Sequence, residues 1–210
     1  MKRSEEIIIN NSDERTVAAL EMADKFIRTQ GLTGKDALHL RLLAEETLGM
    51  VQAMTGDFKA IFWIECDELE YRIRLTAKTN MDLKKKNDLL SVSTSGKNAA
   101  VKGFMGKIRE IIENSSLNYT DVMKFQQEYG SGYVDYGFMG LDRQEGMSVG
   151  MNQYVWSLKN YRTALEDTAK RHEPAKVAWD ELEKSIVASL AQDVIVGVKK
   201  NRVDMIIIKR

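Results

Sequence analysis

An internal disulfide is the first thing this sequence excludes, because it holds one cysteine, Cys66, and a bridge within the chain needs two. The same scarcity removes any cysteine-rich zinc site. Two histidines, His39 and His172, leave little from which to build a histidine-based metal centre. No apolar run is long enough to span a bilayer, and the first dozen residues, MKRSEEIIINNS, lack the apolar core of a signal peptide. A soluble, cytoplasmic protein is the expectation. Charge of one sign is also missing: 31 Lys and Arg balance 31 Asp and Glu, for a net charge of zero. That balance leaves no electrostatic footprint for nucleic acid or an anionic membrane, so neither is an expected partner.

What is present is ordinary globular composition. Of 210 residues, 43% are hydrophobic and 30% charged, enough for one sizeable domain or a domain with a subdomain. Residues Glu6 to Asn11, EIIINN, form a short β-branched strand. Ser12 and Asp13 offer an N-cap for a helix reaching about Thr29. Val17, Leu20, Ala23 and Phe26 recur on it at three-residue steps and predict its buried face. Gly31 ends that helix, and Thr33 or Asp36 caps a second one running to about Met54.

The second helix is the most informative element. Leu40, Leu43, Ala44, Thr47, Val51 and Met54 fall on one stripe, while Leu38, Leu42, Glu45, Gly49 and Gln52 lie on roughly the opposite side. Two leucines, a carboxylate and a glycine do not make a plainly solvated face. After a turn at Gly56 and Asp57 come two strands, FKAIFWIEC and LEYRIRLTA, with a tight reversal at Asp67 and Glu68. The second alternates cleanly, as a strand with one buried face does. In the first, Ile61 and Trp63 interrupt the alternation and suggest burial on both sides.

From Thr79 to Asn98 the chain turns polar and reads as a loop holding Lys84, Lys85 and Lys86. Helical spacing returns at Val101, Phe104, Met105, Ile108, Ile111 and Ile112, and a shorter helix covers Tyr119 to Tyr129. Residues 129–150 are rich in Gly and Tyr without a regular period, the pattern of a connector or of a binding surface. A polar helix is expected from Asn152 to about Arg171. Pro174, the only proline, opens another with Trp179, Leu182, Ile186 and Leu190 in step. Two strands, DVIVGVKK and RVDMIIIKR, close the chain as a hairpin turning at Asn201. The fold class expected is α/β, an α+β two-layer sandwich: a mixed, mostly antiparallel sheet with helices on one face, plus a helical insertion.

The helix carrying LLAEETLGMV, the hairpin FKAIFWIEC…YRIRLTA and the closing hairpin together resemble the ATP-binding domain of the GHKL (histidine-kinase-like ATPase) superfamily. Within it the likeness is nearest to bacterial anti-sigma-factor serine kinases. The resemblance covers Glu5 to about Asn114 and the final hairpin. It implies a GHKL-type domain over 1–114 and 193–210, with 115–192 as a helical and loop-rich insertion within the same domain. It also implies a regulatory role, a protein partner, and ATP with Mg²⁺ as ligand.

Carried over by position, Glu45 matches the acidic residue that helps activate the attacking hydroxyl or water. Gly49 stands where the family has an asparagine whose side-chain oxygen binds the Mg²⁺; glycine offers none, so the metal would need another ligand. The family's Asp-x-Gly-x-Gly motif is absent, since no glycine lies between Gly56 and Gly96. Thr79 or Asn80 remains to hydrogen-bond adenine. Gly96, Lys97, Gly103 and Gly106, in GKNAAVKGFMGKI, stand near a helix start, where backbone N–H groups can meet phosphate; if the helix begins at Asn98, Gly103 and Gly106 are interior and serve close packing.

Plainer readings stand beside these. A helix carboxylate next to Glu46 is commonly a solvated charge, three consecutive lysines are commonly a solvated loop, and Cys66 at a strand end suits burial better than nucleophilic attack. The departures equally fit a non-catalytic partner-binding module without nucleotide. An unrelated α+β protein sharing the strand order by chance is a third reading. Zero net charge and many aromatics are compatible with a homodimer.

Overall fold

The computed structural model describes residues 1–10, 12–52, 58–68, 70–79, 138–139, 154–170, 173–199 and 202–210. Over these residues the fold is mixed α/β, in two compact units. The first unit comprises 1–80, 186–194 and 202–210, and the second 81–185 and 195–201.

In the first unit, strands β1 (Lys2–Arg3) and β2 (Ile7–Ile9) precede helices α1 (Asp13–Thr29) and α2 (Gly34–Gln52). Strands β3 (Phe58–Asp67) and β4 (Glu70–Thr79) follow, with the short helix α5 (Ile186–Leu190) and strand β8 (Arg202–Lys209) contributed from the C-terminal end. The second unit holds strands β5 (Phe138–Met139) and β6 (Tyr154–Ser157), helices α3 (Leu158–Ala169) and α4 (Glu173–Glu183), and most of strand β7 (Asp193–Lys199). The strand pairings described here within the two units are all antiparallel.

Register organises the first unit. Ile9, Ala60, Ala77 and Val203 stand opposite one another across β2, β3, β4 and β8. Ile7, Phe62, Leu75 and Met205 form the next row, and Ile64, Ile73 and Ile207 the one after. Apart from the half-buried Ile7, all of these side chains are buried. Because side chains alternate along a strand, the rows form one apolar face, and α1 and α2 pack on it. α1 contributes Ala19, Met22, Ala23, Phe26 and Ile27, and α2 contributes Leu40, Leu43, Ala44, Thr47, Leu48 and Met50. Thr47 satisfies its buried hydroxyl within the helix, donating to the Leu43 carbonyl at 2.6 Å, the usual solution for a threonine inside a helix.

The opposite face of this sheet carries a buried ion pair. Glu65, only 4% exposed, forms an ion pair with Arg74 and accepts a hydrogen bond from Trp63 Nε1 at 3.3 Å. The Arg3 guanidinium lies 4.7 Å from the centroid of the Trp63 ring, within the range of a cation–π contact. Trp63 is thus half-buried with charged groups, Arg3 and Glu65, against its ring and its indole N–H. At the edge, the pairing of β1 and that of β2 with β3 are offset by one residue. Ser4 fills the offset: its N–H donates to the Ile64 carbonyl at 2.8 Å and its hydroxyl accepts from the Ile64 N–H at 2.9 Å. β3 and β4 reverse over two residues, and Glu68 takes the left-handed φ of 55° that so tight a turn favours.

Several expectations change. Val17 is 53% exposed, because each three-residue step falls about 60° short of a full helical turn. The true stripe follows the three-and-four spacing of Ala19, Met22, Ala23 and Phe26. The polar helix expected from Asn152 begins instead with β6, whose Tyr154–Ser157 pairs with Val198–Ile195 of β7; Ser157 then caps α3 by accepting from the Asn160 N–H at 3.4 Å. Phe138 and Met139, expected in a connector or a binding surface without regular structure, pair with Trp156 and Val155. The helix from Pro174 breaks after Glu183, where the Ser185 N–H donates to the Leu182 carbonyl at 3.1 Å, and resumes as α5. The helices expected over 101–114 and 119–129 lie outside the described residues. In the second unit, fully buried Trp156 packs on Tyr161, with ring centroids 5.8 Å apart, beside buried Leu158, Leu165, Ala175 and Leu182.

Arg74→Met should destabilise the protein by about 3 kcal/mol in urea unfolding, because it leaves the Glu65 carboxylate buried without its cation. Adding Glu65→Leu should recover most of that loss, since an apolar pair leaves no buried charge behind.

Candidate functional site

Helix α2 presents the acidic position singled out in the sequence. Its buried stripe is held against the sheet, which turns Leu38, Leu42, Glu45 and Gly49 away from it. Leu38 is 56% exposed, Leu42 half-buried, and Glu45 and Gly49 exposed. The face expected to be covered on both sides of α2 is therefore open along Leu38, Glu45 and Gly49. Glu45 and Gly49 are one helical turn apart and share a side of the helix. A Cβ added at Gly49 would meet nothing within 4 Å, so packing does not demand glycine there.

Glu45 has a partner that sequence reading missed. Arg41, one turn earlier, donates from Nη1 to Glu45 Oε2 at 3.3 Å, and its Nε lies 2.9 Å from Asp24 Oδ1 on α1. Arg41 thus ties the two helices together and sets its charge beside the acidic position. The four-residue spacing of Arg41 and Glu45 was the available signal; the contribution of Asp24 required the α1–α2 packing.

Thr79 is the last residue of β4 and stands opposite Phe58. Asn80, Lys97, Gly103 and Gly106 lie outside the described residues, as do Lys84, Lys85, Lys86 and His172. His39 is half-buried on α2, and Cys66 is buried at the end of β3. Among the described residues no cluster of His, Cys, Asp and Glu could hold a metal ion. An Mg²⁺ ligated from α2 does not fit these side chains: Gly49 offers no oxygen, and Glu45 already meets Arg41.

A second polar cluster closes the lower end of the same helix layer. Cys66, Tyr71 and Lys209 are cross-strand neighbours. The Cys66 thiol donates to the Glu68 carbonyl at 3.4 Å, and Lys209 Nζ donates to Asp36 Oδ1 at 3.4 Å and to the Arg210 carbonyl at 3.0 Å. Asp36 belongs to the first turn of α2, where a carboxylate also favours the helix dipole. Burial, then the Cys66 sulfur and the Asp36 carboxylate, push the Tyr71 phenol up. Nearby, burial pushes the Glu70 carboxyl up, but hydrogen bonds from Arg210 at 2.8 Å and Arg72 at 2.7 Å overcome it and hold the group below its ordinary value.

In the comparisons with known proteins, the chain matches no family model, no curated protein and no solved structure. The GHKL resemblance rests on the residues quoted for it. Among the described residues no helix is long and apolar enough to cross a membrane.

Two outcomes follow from these contacts. Arg41→Gln should free Glu45 while costing under about 1 kcal/mol in urea unfolding, because the ion pairs are solvent-accessible. Glu70 is depressed in the folded state, so its stabilisation is present above the unfolded value of 4.5 and is lost as pH falls through the folded one. Glu70→Gln should therefore be less stable than wild type at neutral pH, and the gap should narrow as pH falls below 4.5 and close once the folded carboxyl is protonated.

Proposed function

We propose that this chain is a regulatory protein on a GHKL-like framework that acts by binding a protein partner through the outward stripe of α2. The observation that carries the reading is the exposure of Leu38 beside Glu45 and Gly49 on a helix whose other face is buried in the core. An exposed leucine flanked by a half-buried one offers apolar contact area, and the adjoining carboxylate adds a polar rim, the composition of a contact surface. The pairing of Glu45 with Arg41 and the lack of a side-chain oxygen at Gly49 favour binding over phosphoryl transfer.

A second reading, ATP binding in the manner of anti-sigma-factor serine kinases, is favoured by the exposure of Glu45 to any ligand approaching α2. Calorimetry separates the two. The proposal expects ATP and ADP, with or without Mg²⁺, to bind no more tightly than inorganic triphosphate does; adenine-dependent binding at micromolar affinity, about −8 kcal/mol, that Glu45→Ala abolishes would instead support the nucleotide reading. Leu38→Glu should leave stability within about 0.5 kcal/mol, since the side chain is exposed, and should weaken retention of the protein's partner in a pull-down by about tenfold or more. Equal retention by Leu38→Glu and wild type would remove α2 from the interface.

A further inference from the structure

On the face of the first unit's sheet opposite the helices, three cations stand side by side. Lys59 of β3 is the cross-strand partner of Lys78 of β4, and Lys78 is the partner of Arg202 of β8. All three are exposed. Arg202 is neutralised by Asp204, gripped at 2.9 and 3.0 Å. Lys59 and Lys78 have no ion-pair partner among the described residues, although they sit directly opposite each other. Cross-strand neighbours have Cβ atoms about 5 Å apart, and like charges placed so are destabilising.

We propose that this row is an anion-binding site whose ligand is a compact oligophosphate. Lys59 and Lys78 supply charge that is uncompensated among the described residues, and Arg202, already paired with Asp204, ends the row. The row is one residue deep. The adjacent row toward the sheet centre, Ile61, Thr76 and Asp204, is closed by a carboxylate that already accepts from the Thr76 hydroxyl at 2.7 Å. A long polyanion would have to run over that carboxylate, and the chain's zero net charge offers no broad field to hold it. A short chain of phosphoryl groups lying across β3 and β4 meets Lys59 and Lys78. The site lies on the sheet face away from α2, so it stands independently of the function proposed above.

The test uses inorganic triphosphate, which has no adenine, titrated into the whole protein by calorimetry at low and at high salt. Binding is expected in the wild type and should weaken with salt. The double variant K59Q/K78Q should bind about tenfold or more weakly, and in the absence of ligand its melting temperature should rise by about 1 to 3 °C as the repulsion disappears. Glu45→Ala should bind triphosphate as wild type does, and a loss in that variant would move the site to α2 and overturn the proposal. Absence of binding in the wild type, or equal binding by K59Q/K78Q, would also overturn it.

Discussion

The register of β3 against β4 and β8 is the constraint from which the rest of the first unit follows. Side chains alternate with a period of two, so a slip of one residue would exchange the faces of every strand. Phe62, Leu75 and Met205 would turn to the charged face, and Glu65, Arg74 and Ile206 would turn under the helices. The apolar rows and the Glu65–Arg74 pair penalise that slip from opposite sides, one by exposing hydrocarbon and the other by burying charge away from its partner. The two-residue reversal at Glu68 holds the β3–β4 register where the strands meet.

The placement of α2 is a consequence of the same rows. Leu40, Leu43, Ala44, Thr47 and Leu48 meet the apolar face, Asp36 reaches Lys209 at the sheet end, and Arg41 reaches Asp24 on α1. With three attachments the helix cannot roll, so Leu38, Glu45 and Gly49 are presented outward by what is fixed on the other side. The acidic position is therefore ordered by the core although it takes no part in it. Arg41 donates to its carboxylate at 3.3 Å.

Much of this architecture was legible in the residues. Ser12 and Asp13 mark the start of α1 and Gly31 its end, the β3–β4 hairpin is readable from its β-branched and aromatic runs, and the buried stripe of α2 follows from Leu40, Leu43, Ala44 and Thr47. What escaped reading depended on distant partners. Tyr154–Ser157 is a strand because β7 pairs with it, and Phe138–Met139 because β6 does; neither segment is long enough to declare itself by period. Val17 was misplaced by a spacing that drifts around the helix, and the interruption at Lys184 and Ser185 carries no proline or glycine to announce it.

The sequence by itself determined α1, the β3–β4 hairpin, the stripe of α2 that packs on the sheet and the exclusion of an internal disulfide, because hydrophobic period, caps and residue counts are local quantities. Only the tertiary structure decided that Arg41 would stand between Asp24 and Glu45, that Trp63 would be covered by Arg3 and Glu65, and that Lys59, Lys78 and Arg202 would share one row. Asp24 and Arg41, Arg3 and Trp63, and the three cations of the row are separated along the chain by many positions, and what brings them together is strand register and helix packing, which no local pattern encodes.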